Sequence, residues 1–132
     1  MSTDDTSLTA AKVVFPPPTA PEGHNLLAGK VVVVTAAAGT GIGMATAKRC
    51  LEEGASVVIS DAHPKRLAET TEELSHLGPI VAQPCDVTKE AEVEALYTKA
   101  IEAFGSLDIA VNNAGLGRGV VSLTSLCSPT QH

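Results

Sequence analysis

Apolar residues in this chain gather into short blocks from Val31 onward, with amphipathic stretches of helical period between them. The first block, Val31-Val32-Val33-Val34, is an unbroken β-branched run, the pattern of a parallel strand covered on both faces. From Gly41 to about Glu53, Ile42, Ala45, Ala47 and Leu51 recur at helical spacing, and Gly54 suits the position just beyond that helix. Ser56–Ser60 reads as a second strand ending on Asp61. Pro64 opens a second helix that runs to about Leu77, where Gly78-Pro79 stops it. Pro79–Gln83 reads as a short third strand. Thr88 is expected to cap a third helix with Glu90 and Glu92 in its first turn, where the helix dipole favours acids. Val93, Leu96, Ala100 and Phe104 form its apolar stripe, Gly105 ends it, and Leu107–Val111 is a fourth strand. Strands alternating with helices make an α/β fold around a parallel sheet.

The junction between the first strand and the first helix is Thr35-Ala36-Ala37-Ala38-Gly39-Thr40-Gly41-Ile42-Gly43, and its make-up suits an anion. Glycines let backbone N–H groups approach a ligand with no Cβ in the way, and the helix N-terminus carries roughly half a positive charge. Glycines between strand and helix also serve packing alone, so the turn needs support from its surroundings. Asp61 supplies it, ending the second strand roughly twenty residues past the turn, where dinucleotide-binding folds place the acid that holds the adenosine ribose hydroxyls.

Three stretches together resemble the N-terminal half of the short-chain dehydrogenase/reductase family, over about Leu27 to Gly117. Thr35 through Gly43 is similar to the family's T-G-x-x-x-G-x-G. Asp86-Val87 follows the third strand, where the family's Asp hydrogen-bonds the adenine amino group, and Asn112-Asn113-Ala114-Gly115 reproduces the family's N-N-A-G. The glycine motif departs from the pattern: Ala36 replaces the usual first glycine and one extra residue separates Thr35 from Gly41. The turn is therefore expected to bulge, with Gly39 as the backbone closest to the phosphates. This variant is similar to that of ketoacyl-reductase-like members, some acting in steroid breakdown.

The resemblance implies a partial Rossmann-type, doubly wound parallel sheet of about four strands, in the order 3-2-1-4, with flanking helices. It implies a cofactor site made by Thr35, Gly39, Thr40, Gly41, Ile42, Gly43, Asp61, Asp86, Val87, Asn113, Ala114 and Gly115. The implied activity is NAD(P)-dependent hydride transfer between an alcohol and a ketone. Lys65 and Arg66 lie near enough to Asp61 to reach a 2′-phosphate, which would mean NADP. NAD is the expected cofactor, because the Asp61 carboxylate repels that phosphate and accepts hydrogen bonds from a free 2′-hydroxyl. The two bases then read as a solvated helix start.

With 132 residues there is room for one domain, and aromatic residues at 2% with no Trp require a small, aliphatic core. A net charge of −6 argues against nucleic acid or an anionic membrane as partner, so phosphate binding must come from backbone dipoles. Cys50, Cys85 and Cys127 are an odd set without C-x-x-C spacing and read as inert thiols in a reducing cytosol. The histidines are scattered, and no metal site is expected. No apolar stretch approaches a membrane span, and Met1-Ser2-Thr3-Asp4-Asp5 is acidic where a signal peptide is basic. The expected location is the cytoplasm.

In the resembled family, catalysis rests on a Tyr-x-x-x-Lys pair, a Ser and an Asn, all beyond N-N-A-G. The only tyrosine here is Tyr97, and Ile101 stands four residues after it, so Tyr97 reads as packing and no catalytic residue carries over. Ser122, Ser125 and Ser128 have no such partners. Residues 1–28, with Phe15-Pro16-Pro17-Pro18, read as a flexible arm. Residues 29–117 read as the dinucleotide-binding βαβαβαβ half-domain, and residues 118–132 as a tail without family counterpart, as from a shifted frame or early stop. The chain is thus expected to be a family oxidoreductase, truncated and not catalytic alone. The alternative is a non-catalytic dinucleotide-binding fragment or the poorly folded product of a disrupted gene. The family's tetramer is not expected to form, since its interfaces use helices beyond Gly117.

Overall fold

The computed structural model describes residues 15–115; the expectations placed on residues 1–14 and 116–132, with Cys127 and the serines near it, lie outside them. The valine run forms β1, Val31–Val34. It pairs in parallel with β2, Ser56–Ile59, with Val31 opposite Ser56, and with β4, Ile109–Val111, with Val32 opposite Ile109. β2 pairs in parallel with β3, Ile80–Ala82. The sheet order is β3-β2-β1-β4, as the resemblance implied.

Alternation along β1 and β2 divides the core into two layers, because successive side chains of a strand point to opposite faces. Val32, Val34, Val57 and Ile59 pack against Ala47 and Leu51 of α1, Ile42–Glu52, and against Leu67 and Leu74 of α2, Pro64–Leu74. Val31, Val33 and Val58 pack on the other face against Leu96 and Ala100 of α3, Glu90–Phe104. All four valines of β1 are buried, each worth about 1.5–3 kcal/mol relative to an exposed side chain. β4 is an edge strand among the described residues, with Ile109 and Val111 half-buried and Ala110 exposed.

Three local expectations are corrected. The buried stripe of α1 is Gly43, Ala47 and Leu51, while Ile42 and Ala45 face outward, since the helix is turned to bring its smallest residues against the strands. Lys89 rather than Thr88 occupies the N-cap position of α3, because the Thr88 hydroxyl donates instead to the Asp86 carboxylate at 2.6 Å. The stretch from Pro64 to Leu77 is α2 followed by a single 3₁₀ turn, Ser75–Leu77.

Pro21 to Leu27, within the stretch expected to be a flexible arm, is tied to the C-terminal end of α1. Glu53 Oε1 accepts the N–H groups of His24 and Leu26 at 2.8 and 3.2 Å, and Arg49 Nη1 donates to the Pro21 carbonyl at 2.7 Å. Leu27 N–H donates to the Glu53 carbonyl at 2.9 Å.

Candidate functional site

Ligands of open α/β sheets bind at the carboxyl ends of the strands, and here the ends of β1 and β4 are fastened to each other by one side chain. Thr35, 5% exposed, accepts the N–H groups of Asn113 and Ala114, both at 3.0 Å, and its hydroxyl donates to the Val111 carbonyl at 3.4 Å. Asn113 Nδ2 donates to the Ala36 carbonyl at 3.3 Å. Thr35 and Asn113, both expected at a cofactor, therefore also join the glycine turn to the N-N-A-G segment.

The glycine turn has two halves. In the first, Ala36 and Gly39 lie at positive φ, 53° and 91°, which accommodates the extra residue; for alanine this conformation costs about 1–2 kcal/mol. Every donor in the stretch that follows Ala36 is engaged: Ala37 N–H on the Ser60 carbonyl at 2.9 Å, Ala38 N–H on Asp61 Oδ2 at 3.2 Å, Gly39 N–H on Thr70 Oγ1 at 3.0 Å. Gly39, expected to be the backbone closest to the phosphates, has its N–H on α2.

In the second half, the N–H groups of Thr40, Gly41, Ile42 and Gly43 have no hydrogen-bond partner among the described residues. α1 has neither a side-chain cap nor an acid in its first turn, so these donors lie together at the positive end of the helix dipole. Gly41 has φ −86° and nothing within 4 Å of where a Cβ would stand. Gly43 is the opposite case: a Cβ there would run into the Ala36 carbonyl and lie 2.7 Å from Asn113 Nδ2. Gly43 is required by the fold, whereas neither backbone conformation nor packing requires Gly41. Ile42 beside it is 77% exposed.

Asp61 and Asp86 both line a cavity of about 170 Å³, walled also by Ala36, His63, Val87 and Ala114. Asp61 Oδ1 accepts His63 N–H at 3.1 Å. Asp86 Oδ1 accepts from the Thr88 hydroxyl and, at 2.9 Å, from Thr88 N–H; these bonds hold its carboxyl below the usual range. Asp86 N–H donates to Glu92 Oε1 at 3.0 Å. Largely apolar walls with two carboxylates among them suit a flat ring that carries hydrogen-bond donors at its edges. A second cavity of about 220 Å³ lies between Thr35, Asn112 and Ala114 and the α3 residues Val93 and Tyr97. Tyr97 packs against the core layer under α3, and Ile101 is exposed.

One contributor escaped the sequence reading. Thr70 is buried (3% exposed) on the same face of α2 as Leu67 and Leu74, and a hydroxyl within an otherwise apolar stripe was the signal available. Arg66 is exposed, as a solvated helix start implies, and its Nη2 lies 2.6 Å from the place a Cβ of Gly39 would occupy.

The model of the short chain dehydrogenase family matches residues 30–129, a span that runs past Gly117 into the stretch where motif reading finds no counterpart. Among curated proteins, the chain is 62% identical over 97 residues to the (5R,7aS)-5-hydroxy-7a-methyl-1-oxo-2,3,5,6,7,7a-hexahydro-1H-indene-carboxyl-CoA reductase of Mycobacterium tuberculosis, covering 72% of this chain and 37% of that protein. Among solved structures, a short chain dehydrogenase from Mycobacterium smegmatis superposes with a TM-score of 0.74 at 57% identity, over 77% of this chain and 43% of that one. A short chain dehydrogenase/reductase from Burkholderia phymatum in complex with NAD gives 0.65 at 38% identity, over 69% of this chain and 32% of its own. The chain thus spans less than half the length of these relatives. Sheet order, glycine turn, N-N-A-G segment and family match agree, and the chain belongs to the short-chain dehydrogenase family.

Proposed function

We propose that this chain carries the adenosine and pyrophosphate half of an NAD site, in an oxidoreductase that interconverts an alcohol and a ketone. Gly41 carries the reading: a residue without a Cβ, which the fold does not require, stands at an uncapped helix start among four N–H groups that have no partner among the described residues. A pyrophosphate fits that arrangement. Thr40, Gly41, Ile42 and Gly43 would hold the phosphates, Asp61 the ribose hydroxyls, and Asp86 with Val87 the adenine, while Asn113, Ala114 and Gly115 border the path toward the nicotinamide. The dinucleotide, when bound, supplies or accepts the hydride.

Asp61 supports NAD over NADP, because a carboxylate accepts from a 2′-hydroxyl and repels a 2′-phosphate. The name of the Mycobacterium tuberculosis relative supports a fused-ring ketone or alcohol as the substrate class of the whole protein. These 132 residues contain no Tyr-x-x-x-Lys, which favours a second reading for the chain alone: it binds the dinucleotide in the cytoplasm without turning it over.

Calorimetric titration with NAD, NADP and ADP-ribose tests the binding. NAD should bind more tightly than NADP, and Asp61→Ala should narrow the gap; a preference for NADP in the unmodified chain would overturn the role given to Asp61. Steady NADH formation from a panel of secondary alcohols would overturn the non-catalytic reading of the chain alone.

A further inference from the structure

Pro16-Pro17-Pro18 takes no part in the site at the carboxyl edge of the sheet, and Pro18-Thr19-Ala20-Pro21 continues it as a P-x-x-P. Proline fixes its own φ near −65° and biases the residue before it to extended backbone, so Phe15 to Pro21 is drawn toward polyproline II geometry. The stretch lies outside every helix and strand, and each of its residues is exposed. Phe15 is 81% exposed, an apolar ring whose contact with water a partner's pocket would remove.

The residues after the prolines form a mount. Arg49 donates to the Pro21 and Glu22 carbonyls at 2.7 and 3.3 Å, a Cβ on Gly23 would run into the Glu52 carbonyl, and Glu53 accepts the N–H groups of His24 and Leu26. These contacts fasten the segment to the last turn of α1, at the amino ends of the strands. A partner held there leaves the glycine turn free.

We propose that Phe15–Pro21 is a docking segment for a protein domain with an aromatic-lined groove of the kind that reads polyproline II ligands. With three residues per turn and about 3.1 Å of rise per residue, Phe15, Pro18 and Pro21 fall on one edge, three rings at even spacing. Glu22 is the only charged residue from Phe15 to Gly23, which suits a groove with a neutral or basic rim. A membrane surface fits less well, since the segment carries no Lys or Arg. A second copy of the chain fits less well too: the sequence has two Phe, one Tyr and no Trp, and apart from Phe15 these are Tyr97 and Phe104, both packed against the core layer under α3.

The test titrates the isotope-labelled full chain with an EVH1 domain, whose groove takes an aromatic side chain together with prolines, and in parallel with an SH3 domain whose rim is acidic. The amide signals of Thr19, Ala20 and Glu22 should move with the EVH1 domain, and more weakly or not at all with the SH3 domain. Phe15→Ala should reduce the EVH1 affinity at least about tenfold, the scale of a lost aromatic anchor. Pro17→Ala, off the docking edge, should reduce it only about twofold to fivefold, the loss of one proline's preorganisation. Both side chains are exposed, so neither change touches the core. Unmoved signals with the EVH1 domain would overturn the assignment, as would tighter binding to the SH3 domain or a Phe15→Ala variant that binds as well as the unmodified chain. Signals that move with the chain's own concentration, before any domain is added, would give the segment to a second copy and overturn it as well.

Discussion

At the C-terminal end of α1, Glu53 accepts two backbone N–H groups from the preceding chain and pairs with Arg49 at 2.5 Å, while at the N-terminal end of the same helix Ile42 and Gly43 donate to nothing among the described residues. The carbonyls of Arg49, Cys50 and Leu51 at the closed end all accept backbone N–H groups. Gly54 leaves the helix at φ 93°, and its N–H and that of Ala55 return to carbonyls of the last turn at 3.0 Å. α3 starts with Glu90 and Glu92 in its first turn and Asp86 N–H on Glu92. Helix ends are ordinarily satisfied by side chains, water or a ligand. All three helices begin at the carboxyl edge of the sheet without a side-chain cap; α1 differs in following a glycine turn whose N–H groups from Thr40 to Gly43 have no partner among the described residues, and on that difference the proposed anion site rests.

The largest effect belongs to the glycine that serves packing. Gly43→Ala forces a Cβ against the Ala36 carbonyl and Asn113 Nδ2, and should cost about 3 kcal/mol, at the upper end for overpacking against backbone. Urea unfolding measures it, and a variant as stable as the unmodified chain would mean that the open end of α1 is not clamped to the N-N-A-G segment.

Much of this was legible because it is local. The valine run, the acids of α3 and Gly105 at φ 84° follow from propensity and capping alone. The strand order came from the resemblance, since periodicity says nothing of which strands pair. What stayed hidden joins residues far apart in sequence: Thr70 holds Gly39 across 31 positions, and Glu53 holds His24 across 29. The outward turn of Ile42 was missed because a single-sequence stripe counts isoleucine as core, whereas the helix approaches the sheet on Gly43 and Ala47.

The closed end should be sensitive to acid. The N–H groups of His24 and Leu26, followed by Arg49, hold the Glu53 carboxyl below its ordinary value. A carboxyl depressed in the folded state adds stability that is full above the unfolded value of about 4.3 and is lost as pH falls through the folded value. Glu53→Gln should therefore reduce stability at neutral pH by less than Gly43→Ala does, flatten the acid limb of the stability curve and speed amide exchange between Pro21 and Leu27. An unaltered acid limb would remove Glu53 from the account of that end.

A smaller effect, of opposite sign, is expected at the turn. Ala36 carries its positive φ at a cost that glycine would relieve, partly offset by the greater freedom of glycine in the unfolded chain, so Ala36→Gly should stabilise by about 0.5 kcal/mol. A loss of stability in thermal unfolding would show that the alanine methyl packs in a way that offsets its backbone strain.

The contrast between the two ends of α1 is tested most directly at Gly41. Gly41→Ala places a methyl in open space, so unfolding should shift by no more than about 1 kcal/mol, the scale of an N-cap change. The same methyl would stand where a pyrophosphate must approach the backbone, and calorimetry should show NAD affinity reduced by at least about tenfold, or roughly 1.4 kcal/mol. A folded Gly41→Ala variant that binds NAD as well as the unmodified chain would contradict the claim that this helix end is left open for a dinucleotide.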